Sequence, residues 1–74
     1  MNNLRDKKVL ITFGARVKIL RQERNMTLQS LAFEAEMEIS QVHRIEKGVI
    51  NPTLTTLNAL AKAFNITLDD LVKI

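Results

Sequence analysis

The sequence predicts an all-α domain of five short helices. Three observations carry this. Apolar residues recur at spacings of three and four in three separate stretches, around Leu10–Leu20, Leu28–Ile45 and Leu54–Phe64, the period of a helix face rather than a strand. Between them stand capping residues, Thr27, Thr53 and Thr67 ahead of apolar runs and Asn25 and Asn65 behind them. And the 74 residues hold no cysteine and a single proline, so no disulfide framework and no Cys-based zinc site replaces helix packing. A chain of this length makes one domain. It buries only about 60% of its unfolded surface, so oligomerisation or well-fitted helices must add stability.

Residues 1–9 are expected to be a flexible N-terminal segment, with Met1 to Arg5 frayed, and residues 10–74 the folded domain. The first helix is expected to be established by about Leu10 and to run to Arg24, with Leu10, Phe13, Val17 and Leu20 as its apolar stripe. Gly14 inside it costs about 1 kcal/mol against alanine, and marks either close packing or a later helix start. Asn25 terminates the helix in the left-handed conformation. Met26 enters the core, and Thr27 caps the next helix.

Residues 27–48, TLQSLAFEAEMEISQVHRIEKG, are the stretch around which the rest is arranged. Leu31, Ala35, Met37, Val42 and Ile45 fall where two helices crossing steeply turn inward, with Met37 as the plug between them and Ala32 at the closest approach. Ile39, Ser40, Gln41, His43, Arg44 and Lys47 are left on other faces. This is a helix-turn-helix, whose second helix suits the major groove of DNA. Beyond it, Asn51-Pro52-Thr53 opens a fourth helix, with Leu54, Leu57, Leu60, Ala61 and Phe64 expected in the core. Thr67 caps a short last helix whose Leu68, Leu71, Val72 and Ile74 are apolar on more than one side. They are expected to form a symmetric dimer seam, against the alternative that they fold back on the core.

The net charge of +3 is unevenly spread. Residues 1–24 set Arg5, Lys7, Lys8, Arg16, Lys18, Arg21 and Arg24 against Asp6 and Glu23, a net +5. Residues 25–46 carry Arg44 against Glu34, Glu36, Glu38 and Glu46, a net −3. A basic first helix suits a polyanionic partner, although charge alone fits a solvated face equally well. Apolar runs such as Val9–Ile11 are far too short to span a membrane, and no apolar signal segment is expected at the N-terminus. Lack of cysteine fits a reducing cytoplasm, the expected location. The lone His43 has no companions for a metal site, and no cofactor or small-molecule effector is evident. With no cysteine nucleophile and no glycine-rich phosphate loop, an enzyme is not expected. Asp69 and Asp70 sit in a first helical turn, where carboxylates serve the helix dipole.

TLQSLA, ISQVHRIEKG, NPTL and LAKAFNITLDDL together resemble the Cro-type (phage-repressor-like, XRE) helix-turn-helix regulators, over roughly Phe13 to Leu71. The resemblance implies a five-helix phage-repressor-like domain that binds double-stranded operator DNA, usually as a homodimer. A chain of this size looks like a small repressor or a restriction–modification controller. The alternative the fold allows is an antitoxin-like module that binds a protein as well as DNA, with residues 1–9 as the spare segment.

Carried over residue by residue, the resemblance implies a groove-facing set of Ile39, Ser40, Gln41, His43 and Arg44. The Arg44 fork matches guanine O6 and N7, and Ile39 suits a thymine methyl unless it folds onto the core. His43 is either a DNA contact or a plain surface residue. Phosphate contacts are expected from Thr27, Gln29 and Lys47, more weakly from Arg16 and Lys18. The resemblance also places Arg21 against Glu46 as a partly buried ion pair locking the first helix to the third. The chain departs from the family at Leu28, where glutamine commonly clamps the backbone. It departs again at Glu36, where glycine is usual, at Glu38, where Ser or Thr caps, and at Val49 and Ile50, where basic residues are common.

Overall fold

In the computed structural model, which describes residues 6–74, the order is α1 (Lys7–Glu23), α2 (Leu28–Ala35), α3 (Ile39–Lys47), α4 (Leu54–Phe64) and α5 (Leu68–Leu71). All five expected helices form. The expectation that Met1 to Arg5 fray lies outside the described residues. α1 begins three residues earlier than the apolar stripe announces, because Asp6 caps it, its carboxylate accepting from the Val9 amide at 3.2 Å. Residues 7–9 therefore belong to the folded domain rather than to a flexible segment.

Four of the five helices start on a side-chain cap. Besides Asp6, the Thr27, Thr53 and Thr67 hydroxyls accept from the amides of Ser30, Thr56 and Asp70 at 3.0, 3.2 and 3.1 Å. α3 is the exception, for Glu38 makes no capping bond. Helix ends are equally regular. Asn25, Glu36, Gly48 and Asn65 all take positive φ, between 56° and 74°. In each case the next amide reaches back to the helix's last turn: Met26 to the Arg21 carbonyl, Met37 to Ala32, Val49 to Arg44 and Ile66 to Ala61. This is the Schellman closure, which satisfies carbonyls the helix itself cannot.

The core gathers Phe13, Val17 and Leu20 of α1, Leu31, Ala32 and Ala35 of α2, and Val42 and Ile45 of α3. Leu60, Ala61 and Phe64 of α4 and Leu71 of α5 complete it. Met26, Leu28, Met37, Ile50, Leu57 and Leu68 seal its margins. Two expectations are corrected. Leu54, the first residue of α4, is 67% exposed. Leu71, expected at a subunit seam, is fully buried, so the last helix folds back and only Val72 and Ile74 of that set stand exposed. Phe33 is exposed to 79%, two residues and about 200° round α2 from the buried Leu31.

Gly14 answers the choice left open by the sequence. It lies where α1 crosses the last turn of α3. A Cβ there would press on the Ile45 carbonyl oxygen and stand 2.6 Å from that of Glu46. Close packing, not a late helix start, holds this glycine. At the other end of that crossing, a Cβ on Gly48 would come within 2.6 Å of the Ile11 Cα. α1 thus lies backbone-to-backbone along the end of α3.

Candidate nucleic-acid interface

α2 and α3 form the helix-turn-helix, and two contacts set how α3 is presented. Arg21 donates from Nε to Glu46 Oε2 at 2.7 Å and from Nη2 to Oε1 at 3.2 Å, while Nη1 donates to the Met26 carbonyl at 2.9 Å. The two side chains are only 12% and 7% exposed. One guanidinium thus ties α1 to the last turn of α3 and to the residue before the Thr27 cap, the bidentate geometry an arginine fork favours. The second contact is the turn. Ala32 is buried at the helix crossing and Met37 is packed against the core, so the turn cannot open without exposing both.

The exposed surface of α3 carries Ile39, Ser40, His43 and Arg44, with Gln41 half-buried and Lys47 exposed at the end. Val42 and Ile45 alone of its side chains are buried in the core. Ile39 is 46% exposed, so it is not folded onto the core. The five residues expected to face the groove therefore lie on one short helix whose inner face is anchored. Thr27 and Gln29 are exposed at the start of α2, the Thr27 hydroxyl being engaged by the Ser30 amide. Lys18 is exposed one turn after Gly14.

Arg16 is a correction. Its guanidinium donates from Nε to the Leu71 carbonyl at 3.0 Å and from Nη2 to the Asp70 carbonyl. Those are carbonyls of α5 that the helix leaves unpaired. The side chain holds the C-terminal helix on the core and is not aimed at a phosphate. Arg24 plays a matching part, unforeseen in the sequence. It donates to the Phe64 and Leu20 carbonyls at 3.2 and 3.1 Å, and stands 5.3 Å from the centre of the Phe64 ring, a cation–π distance.

Glu36 takes the left-handed conformation with φ 56°, as the family's usual glycine would. That geometry costs a non-glycine residue about 1–2 kcal/mol, and glycine's greater freedom in the unfolded chain returns about 0.4–1. Glu36→Gly is therefore expected to stabilise the domain by up to about 1 kcal/mol, raising the melting temperature by a few degrees in calorimetry. An unchanged or lower melting temperature would show that the Glu36 side chain contributes packing of its own. No helix among the described residues is long and apolar enough to cross a membrane, and no group of side chains among them is arranged to hold a metal ion.

Known proteins agree with this geometry. The helix-turn-helix family model matches residues 17–71. The transcriptional regulator DdrOP3 of Deinococcus deserti is 38% identical over 58 residues, 78% of this chain and 45% of that protein. The control protein C.BamHI of Bacillus amyloliquefaciens is 31% identical over 72 residues, 96% of this chain and 83% of that one. Among solved structures, the restriction–modification controller C.AhdI of Aeromonas hydrophila superposes with a TM-score of 0.82 at 32% identity, over 84% of this chain and 94% of the controller. The chain spans less than half the length of two curated relatives that it matches. With the motif, its buried anchor and these relatives in agreement over most of its length, the chain belongs to the helix-turn-helix family.

Proposed function

We propose that the domain is a sequence-specific binder of double-stranded DNA acting as a transcriptional regulator, with α3 in the major groove and two copies on a pseudo-palindromic site. The observation that carries this is the presentation of α3. Its inner face is locked by Val42, Ile45 and the Arg21–Glu46 pair, while Ile39, Ser40, His43 and Arg44 stand free on one surface. A rigid helix with a polar, cationic outer face is what direct readout of base edges requires. Paired recognition helices would sit about 34 Å apart, one turn of duplex. Val72 and Ile74, exposed beside Val9 and Pro52 in an apolar groove, are the surviving candidates for the contact between copies. The protein-binding alternative needed residues 1–9 as a free segment, and residues 7–9 are spent on the first turn of α1.

The test is selection from random duplexes, then titration of the best site at several salt concentrations. A two-fold-symmetric site with a steep negative salt dependence is expected. Weak binding with no selected motif would overturn the proposal. Within that site Arg44→Ala is expected to lose about 1–3 kcal/mol of discrimination at one base pair of each half-site, with little change on random DNA. Equal loss on selected and random sequence would make Arg44 a phosphate contact instead.

A further inference from the structure

The first turn of α1 sets a puzzle. Lys7 and Lys8 occupy the first two positions of that helix, and no acidic residue shares the turn. Cations there oppose the helix dipole, and only the Asp6 cap offsets them. Neither lysine is in an ion pair among the described residues, and both are exposed. A local choice that opposes its own helix is expected where function requires it.

Their position says what they face. The Ile11 backbone packs on Gly48, close enough that a Cβ on Gly48 would come within 2.6 Å of the Ile11 Cα. Lys7 and Lys8 precede Ile11 by one helical turn, four and three residues, and so share its side of α1. Lys47, also exposed, immediately precedes Gly48. The backbone placement therefore puts the lysines of the first turn of α1 on the side of that helix that meets the end of α3, where Lys47 stands. The nearby acid on that helix, Glu46, is already engaged by Arg21. A helix that meets base edges with its N-terminal residues leaves its C-terminal end, here that of the nine-residue α3, nearer the groove's rim than its floor.

We infer that Lys7 and Lys8, with Lys47, form a clamp on the DNA backbone at the edge of each half-site. This rests on the reading of α3 as the groove helix. The clamp adds affinity and salt dependence and reads no base, since phosphate contacts position a protein without carrying sequence. The occupant is the phosphate backbone of duplex DNA, chosen over an acidic protein because the patch adjoins the helix that meets the bases.

The test compares the full chain with Lys7→Gln/Lys8→Gln on its selected duplex and on random duplex, over a range of salt. Each lost phosphate contact removes about 0.9 from the slope of log K against log salt. The double variant is expected to have a slope shallower by up to about 1.8 per bound protomer, with the preference for the selected site unchanged. Lys62→Gln, on α4, serves as the control and should leave the slope alone. Lys7→Glu/Lys8→Glu should melt at the same temperature or higher while binding DNA more weakly still. That combination is one a merely structural role would not give. A steep wild-type slope retained by the Gln variant would overturn the clamp and leave the proposed function standing. So would a lower melting temperature in the Glu variant. If the wild-type protein shows no salt-dependent binding, the groove reading itself fails, and the clamp with it.

Discussion

Glu46→Ala is expected to lose about 3–5 kcal/mol of stability, the usual result of removing one member of a buried pair. At about 0.05–0.15 kcal/mol per residue, a chain of 74 residues has roughly 4–11 kcal/mol in all, so a large share of the margin would go. The reason lies in what is left behind. With Glu46 gone, the Arg21 guanidinium, 12% exposed, keeps only the Met26 carbonyl as a partner. A cation largely out of water with one neutral acceptor is far less stable than one with a carboxylate across its fork. Arg21→Ala should be as severe, leaving the carboxylate stranded and the chain before Thr27 untied.

The pair is not thereby a large source of net stability. Replacing both members together by apolar side chains, Arg21→Met/Glu46→Leu, is expected to cost less than either single change, because no charge remains uncompensated. Urea unfolding of the four proteins makes the comparison. In every variant, DNA affinity should fall in step with the folded fraction. A Glu46→Ala protein that melts near the wild type but no longer binds its site would assign the pair to DNA recognition rather than to the fold.

What could be read from the sequence was mostly local. Thr27, Thr53 and Thr67 cap because a hydroxyl reaches an amide three residues on, and Asn25 and Asn65 end helices because they tolerate positive φ. Such bonds are written in adjacent letters. Asp6 acts by the same rule, but two lysines follow it and the apolar stripe begins only at Leu10, so the helix start is not marked by periodicity. Leu54 shows the limit of periodicity. Its spacing places it on the inward face, yet spacing does not say how far a neighbouring helix extends to cover it. Leu71 shows the same limit in reverse, since an apolar C-terminal helix reads alike whether it folds back or meets another subunit.

The arginines divide for a related reason. The Arg21–Glu46 pair is legible only through the family resemblance, because its members lie 25 residues apart. Arg16 and Arg24 bond backbone carbonyls 55 and 40 residues distant, and a carbonyl has no letter in the sequence. Long basic side chains on the exposed stripe of a helix look like phosphate ligands until the fold supplies those acceptors. On α3 the legible part needed only one helix: which of its faces is anchored by Val42 and Ile45, and which stays exposed.

Gly14→Ala is the other change expected to be severe, and its sign is the informative part. In the interior of an ordinary helix, glycine to alanine gains about 1 kcal/mol. Here the added methyl would meet the Ile45 carbonyl oxygen and stand 2.6 Å from the Glu46 oxygen, nearer than real Cβ contacts. Backbone cannot rotate aside as a side chain can, so α1 must lift from α3. Overpacking commonly costs about 1–3 kcal/mol. Two further features put this case at or above the upper end. The lift also parts Ile11 from Gly48, and it stretches the Arg21–Glu46 bonds two turns along the same face. A net loss of about 3 kcal/mol is therefore expected in denaturant unfolding, where the propensity scale alone calls for a gain. Ala15, exposed on the next position, supplies the reference: Ala15→Gly should lose only about 1 kcal/mol. Gly14→Ala combined with Glu46→Ala should cost less than the sum of the two, because both release the same contact. Full additivity, or a Gly14→Ala protein more stable than the wild type, would mean that the close approach of α1 to the end of α3 is not what holds the recognition helix in place.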